Sequence, residues 1–277
     1  MAAEYRLDIY TAAGVKVAEV TDFIELAYTR RVNAPGLLTW SIMGNHEVLP
    51  LLEHNGIVIV YRRNASIGLP WTADFWGLYR AQKRWYTDHD LFEARCPGVM
   101  TMLTWRIVAW YANTANRSKF TGVKAETIAK TLVSYNAGSA ATTANGRIRD
   151  GAISGISVQA DAGSGNTLNY SCAWDNLLSA LQTVASIGGG DFDLAYTGAG
   201  TYRFDWHSGQ LGTDRTGTLL FALERGNMAE PVYEYDRQED KSVGIAGGQG
   251  EDDERVVWIR TSPSYNAASN NIETFID

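Results

Sequence analysis

Along the first hundred residues, apolar and polar positions alternate in short runs, the period of a half-buried strand. Residues 5–10 (YRLDIY) alternate, Ala13-Gly14 supplies a turn and 15–20 returns, a hairpin pattern. A strand follows over 23–32, then the turn sequence Asn33-Ala34-Pro35-Gly36, then a strand in which Leu38, Trp40 and Ile42 alternate with Thr39 and Ser41. Residues 56–61 (GIVIVY) form a continuous apolar, β-branched run, the pattern of a central strand. Residues 62–72, with Gly68 and Pro70, read as a loop; 75–80, 83–86 and 91–96 continue the strands, with a turn at 87–90. Strands at this spacing predict a closed or nearly closed antiparallel barrel.

The period then changes. Residues 99–110 are apolar without a clear period, and neither helix nor strand is favoured. Ala125, Ile128, Ala129, Leu132 and Val133 follow the i, i+3, i+4, i+7, i+8 spacing of one helix face, and Gly138 stands where a cap belongs. Residues 139–169 are rich in small and polar residues and read as an exposed loop or irregular insertion. A second helix is predicted from an Asp175 N-cap, with a stripe of Leu177, Leu178, Leu181, Val184 and Ala185 and a stop at Gly188-Gly189-Gly190. Strands are expected over 191–196 and 201–207 as a hairpin, then over 218–223, 231–235, 241–246 and 256–260.

The segment 244–260 (GIAGGQGEDDERVVWIR) is no phosphate loop. Gly250 is followed by Glu251 and Asp252 where Lys and Ser/Thr would be needed, and Val256 to Ile259 read as strand where a dinucleotide fingerprint opens a helix. Its glycines read as structural.

Composition narrows the class. The 277 residues suffice for two or three compact domains, or one large β-rich domain with an insertion, at an ordinary 45% hydrophobic and 20% charged content. A net charge of −7 argues against a nucleic-acid-binding surface as the main role. The N-terminal MAAEYRLDIY lacks a basic stretch followed by an apolar one, so no signal peptide is expected, and no apolar run reaches the ~20 residues of a membrane helix.

Candidate chemistry is thin. Cys96 and Cys172 are far apart and lack metal-ligand spacing, which favours buried, structural thiols. His46, His54, His89 and His207 form no HExxH or His-x-His pair. Asp88, His89 and Asp90 read as a solvated turn, and Glu251, Asp252, Asp253 and Glu254 as a solvated acidic turn without EF-hand spacing. No GxSxG elbow is present, although a distant carboxylate pair of the glycosidase kind leaves no local trace. Nine Trp and fourteen Tyr suit core and subunit packing, with Trp71, in the loop beside Pro70, the best exposed candidate for a sugar platform. Arg30 with Arg31, and Arg62 with Arg63, suit a lumen or a neighbouring subunit. No catalytic residue, metal ligand or cofactor is expected.

Several strings, in order, carry a resemblance: YRLDIYTAAGVKVAEVTDF, TRRVNAPGLLTWSI, DFWGLY, PGVMTMLTWRIVAWYA, DNLLSALQTVASIGGGDFDL, LGTDRTGTLLFALERGN and VGIAGGQGEDDERVVW. From near residue 5 to near residue 260 the chain resembles the tail-tip, or baseplate, hub proteins of long-tailed bacteriophages. The resemblance implies a mainly β chain with an α+β insertion and two tail-tube-like antiparallel β-barrel domains: 1–98 the first barrel, 99–190 the insertion, 191–277 the second β-rich unit. It implies a homotrimeric ring joining a six-fold tail tube to a three-fold tip. Its partners would be a distal-tail or tail-tube protein above, tip or fibre proteins below, and tape-measure protein or DNA in the lumen. Its place would be the virion tail tip, after synthesis in the host cytoplasm. Members of that family usually continue past the position of Asp277 with more strand and helix, a departure that bears on completion of the second barrel. A tail-borne carbohydrate- or receptor-binding module is the alternative reading, and a cell-wall hydrolase a weaker one.

Overall fold

The computed structural model describes residues 3–276 except 226, 227, 229, 237, 238, 251–253, 264 and 266–269. The chain divides into two compact units, residues 1–213 and 214–277.

The larger unit begins with eight strands: β1 Glu4–Tyr10, β2 Lys16–Val20, β3 Glu25–Thr29, β4 Leu37–Met43, β5 Ile57–Asn64, β6 Leu69–Leu78, β7 Ala81–Tyr86 and β8 Asp90–Pro97. They form two antiparallel four-stranded sheets, ordered β2-β1-β5-β6 and β3-β4-β8-β7. The antiparallel pairing is as the alternation predicts, but neither sheet closes into a barrel. Successive hairpins are dealt to opposite sheets, so the chain crosses over after β2, after β4 and again after β6. A single bridge, Gly77 to Gly98, joins the two sheets on one side. Between them lies a core of Leu7, Ile9, Val20, Leu38, Trp40, Ile42, Val58, Val60, Phe92 and Cys96.

Strand β5 explains its own sequence. Val58 and Val60 enter this sandwich core, whereas Ile57 and Ile59 point to the opposite face and join a second core. A strand buried on both faces must be apolar at every position, which is why 57–60 lack alternation. Residues 62–72, expected as a loop, mostly extend β5 and β6, with Arg62 opposite Thr72 and Asn64 opposite Leu69. Pro70 is tolerated because β6 is an edge strand, so its missing N–H need cost no ladder bond.

The strand β9 Asn113–Thr114 pairs with β10 Arg117–Lys124, and the second core is built by helices α1 Ala125–Asn136 and α2 Leu177–Gly188 with β10 and strands β11 Ile156–Val158, β12 Thr167–Cys172, β13 Gly190–Gly198 and β14 Thr201–Ser208. The predicted stripe of α1, Ala125 to Val133, is fully buried, and Gly138 N–H donates to Val133 O as a capping contact. The N-cap of α2 is Asn176, one residue past the expected Asp175; its side chain accepts from Leu178 N at 3.0 Å and donates to Thr104 O at 2.8 Å. Gly189 ends the helix in the left-handed conformation at φ 67°. Val99–Trp105 is neither α-helix nor strand but a 3₁₀ helix, its side chains Val99, Met100, Met102 and Leu103 buried under the helices. The small-residue stretch 139–169 is more than an exposed loop. Its β11 pairs in parallel with β14, and Ile153 and Ile156 reach the core.

The smaller unit holds β15 Val243–Gly247, β16 Val257–Thr261 and β17 Glu273–Ile276, ordered β16-β15-β17. The expected strand at 218–223 is instead a turn, with Thr218 and Leu219 N–H both donating to Arg215 O, followed by a 3₁₀ turn at Leu223–Arg225. Residues 231–235 are strand-like in composition but pair with nothing in a ladder among the described residues, and Val232 and Tyr233 stand exposed.

Candidate functional site

The residues singled out from the sequence do not converge. His46 fastens a turn: its Nδ1 accepts from Val48 N at 3.0 Å and its Nε2 meets Asp22 at 3.1 Å, a contact that lowers the Asp22 pKa. His54 and His89 are exposed, and Asp90 is turned away from His89 to pair with Arg84. No group of three or more His, Cys, Asp or Glu side chains is placed to hold a metal ion among the described residues. Glu251, Asp252 and Asp253 lie outside the described residues; Glu254 is exposed. Cys96 and Cys172 are free and buried, and burial pushes their thiols up to about 12 and about 11, so neither is a thiolate nucleophile near neutral pH.

Trp71 is not an open platform. It lies in β6, not in a loop, and two guanidinium groups sit over its ring, Arg63 at 4.6 Å and Arg6 at 5.0 Å from the centroid. Arg63 also pairs with Glu4 at 2.6 Å. Arg30 and Arg62 share Asp74, at 3.3 and 3.6 Å, and Asp74 accepts a 2.5 Å bond from Tyr28 Oη. Burial, and then this bond, raise the Tyr28 pKa. These arginines therefore tie strands of the sandwich to one another.

Two turns of the sandwich clamp it to the hairpin β13–β14. Asn33, at φ 54°, donates to Asp191 Oδ1 and accepts from Phe192 N, each at 2.7 Å, while its carbonyl accepts from Gln182 at 2.9 Å. Gly14 faces the backbone of Ala199-Gly200 so closely that a Cβ on it would lie 2.1 Å from Gly200 N. Beside this joint is a cleft of about 660 Å³ lined by Ala12, Ala13, Trp105, Arg106, Gly155 and Gly200, among others. Its lining contains no carboxylate, histidine or cysteine; its polar side chains are Asn55, Arg106, Ser154, Thr201 and Tyr202.

The surface that stands out is in the smaller unit. Every residue of β16 is exposed, with Trp258 at 62% and Ile259 at 63%. Phe275 and Ile276 of β17 are exposed as well. Three strands of four or five residues bury too little to form a core of their own, and contiguous exposed apolar side chains mark surfaces meant to be covered. The sequence signal for this was present in VVWI, but it reads as strand whether or not anything covers it.

A family model described as Siphovirus ReqiPepy6 Gp37-like protein matches residues 6–277. The chain belongs to this family. No curated protein sequence matches it. In fold, the Gp37-like chain is similar to the 43 kDa tail protein of prophage MuSo2 from Shewanella oneidensis, with a TM-score of 0.61 at 10% identity over 99% of this chain and 72% of that one. It is also similar to a tail protein from Neisseria meningitidis, at a TM-score of 0.50 and 11% identity over 99% and 71% of the two chains. A chain of the lidded Francisella PdpA-VgrG complex matches at a TM-score of 0.52 and 9% identity, covering all of this chain and 40% of that one. The mainly β, open-sheeted architecture of the Gp37-like chain is thus that of phage tail proteins.

Proposed function

We propose that the chain is a structural, non-enzymatic subunit of the phage tail tip, a hub that joins the six-fold tail tube to a three-fold tip. In this reading three copies close a ring around the channel through which tape-measure protein and DNA pass. A distal-tail or tail-tube protein would bind above and tip or fibre proteins below. The first β unit and the second, 191–277 in the three-part division, would take the places of tube-like barrels, completed between copies and not within one chain.

The observation that carries the reading is the uncovered apolar strand β16 with its neighbour β17, a surface suited to association. Membership of a siphovirus family and a tail-protein fold support it. The non-enzymatic part is supported by the siphovirus family and the tail-protein fold. No observation favours the glycan-binding alternative, whose anchor Trp71 is stacked by Arg6 and Arg63.

Native mass spectrometry of the purified chain, alone and with tail-tube protein, followed by negative-stain imaging, tests the proposal. A ring-shaped trimer with an open centre is the expected result. A monomer that persists at high concentration and forms no ring with tail-tube protein overturns it.

A further inference from the structure

Residues 105–109 and 147–151 run beside each other, joined by Ile148 N to Ala109 O at 3.0 Å and by a bridge between Trp110 and Arg147. They enclose a cavity of about 200 Å³ into which three arginines enter, Arg106, Arg147 and Arg149, with apolar walls from Trp105, Ile107 and Ile148. These residues are scattered in sequence, and no motif announced them.

Arg147 is 5% exposed. Its Nη1 donates to Arg149 O at 2.6 Å and its Nη2 to Ile107 O at 3.3 Å, but its buried Nε has no partner. Arg106 is held by backbone carbonyls too: Nε by Gly151 O, Nη1 by Trp105 O at 3.0 Å and Nη2 by Ala152 O at 3.3 Å. Arg149 is exposed and makes one long contact, Nε to Asp150 O at 3.4 Å. The adjacent carboxylate, Asp150, is engaged elsewhere, its Oδ1 accepting from Thr143 N at 2.8 Å.

Other arginines of this unit, Arg6, Arg30, Arg63, Arg84 and Arg203, have carboxylate partners within ion-pair distance. Among the described residues, none of these three does. Burial and then Arg149 lower the Arg106 pKa; burial, Arg106 and Arg149 lower that of Arg147. Carbonyl oxygens satisfy N–H groups but bring no counter-charge, and the field of Asp150 offsets Arg147 only in part.

We propose that this cavity is a binding site for a small oxyanion, a carboxylate or a phosphate, received by the guanidinium fork of Arg149 in the field of the carbonyl-held Arg106 and Arg147. Arg147 is pre-positioned by its carbonyl bonds, and the exposed Arg149 is free to close over the ligand. A planar guanidinium fork suits oxygens carried on one small centre. The site is independent of the tail-tip assignment and stands or falls separately.

Thermal unfolding of the full chain at constant ionic strength, with chloride replaced stepwise by phosphate or by glutarate, tests it. The parent Tm is expected to rise saturably with at least one of the two anions. Arg149→Gln leaves the carbonyl bonds of Arg147 in place and should weaken the apparent affinity about tenfold, the worth of one charge-assisted contact. A response to phosphate alone identifies a free phosphate or phosphate ester as the ligand. A response to glutarate alone identifies a carboxylate such as an acidic side chain of a neighbouring polypeptide. No saturable rise with either anion overturns the proposal. So does an identical rise in Arg149→Gln, which would mark a general salting effect. Arg147→Gln should abolish the response, and if that variant fails to fold, Arg149→Gln decides.

Discussion

Residues 57–60 and 256–259, IVIV and VVWI, are alike in being wholly apolar and strand-favouring, with opposite fates. In the larger unit Ile57 to Val60 are between 0% and 2% exposed, and in the smaller unit Val256 to Ile259 are between 48% and 63% exposed. The first run lies between two cores that its own chain supplies, one from the facing sheet and one from the helices. The second belongs to a three-stranded sheet with no second layer to cover it among the described residues of its unit. A β-branched apolar run therefore specifies a strand without saying what covers it.

The sharpest way to break this contrast is to place a carboxylate in the covered run. Ile59→Asp would bury an unpaired charge between strand and helices and should cost more than about 5 kcal/mol, enough to unfold a domain of ordinary stability. Thermal unfolding should lose its cooperative transition, or expression should become insoluble. A variant within a few degrees of the parent Tm would mean that the helix-side core is looser than its burial implies.

The same self-sufficiency extends to polar groups in the larger unit. Glu126 and Lys130, one turn apart on α1, form an ion pair with side chains only 3% and 4% exposed. Glu126 also accepts from Ala162 N at 3.1 Å and Ser164 N at 2.7 Å, and Lys130 donates to Ala160 O at 2.7 Å and to Gln159 at 3.0 Å, which straps 159–164 across the helix. Burial alone would raise the Glu126 pKa, but these bonds outweigh it and bring it down to about 2. Folding thus favours the ionised form. Its contribution is full above the ordinary carboxylate value of 4.5 and is lost as pH falls from there towards 2. Glu126→Gln, which leaves Lys130 buried without its counter-charge, should cost about 3 kcal/mol at pH 7 in denaturant unfolding. The difference between parent and variant should shrink at pH 3. A constant difference across that range would show that shape, not charge, holds the strap.

How much could be read from the sequence follows the same line. The stripes of α1 and α2 and the two-sided run of β5 were legible because their period reports local geometry and burial together. Residues 218–223 and 231–235 misled because β-propensity survives in segments that find no ladder: Thr218 and Leu219 turn back onto Arg215 O. Val99–Trp105 was unreadable because a 3₁₀ helix has neither the α nor the strand period. The alternation called for a closed or nearly closed barrel and the sheets stay open, since alternation along a strand does not say which sheet the next hairpin joins. The arginines at 106, 147 and 149 meet only through tertiary contacts, and the stacking of Arg6 and Arg63 on Trp71 likewise needs three strands in place. The tail-tip reading came from ordered strings, not from any single site.

The mirror of the first variant is the smallest in the isolated chain and the most informative for assembly. Ile259 stands opposite Ile245 in the β15–β16 ladder with 63% of its surface open. In the chain alone an Asp there meets mostly water, so Ile259→Asp should change stability by no more than about 0.5 kcal/mol. In the proposed assembly the same carboxylate would be carried into an apolar contact without a partner, and association should weaken by at least about tenfold, read as the concentration at which the proposed trimer forms in native mass spectrometry. If Ile259→Asp assembles like the parent, β16 is not the contact and the covering surface lies elsewhere. If it unfolds the smaller unit while still monomeric, the strand is covered within its own chain, and 57–60 and 256–259 differ in degree and not in kind.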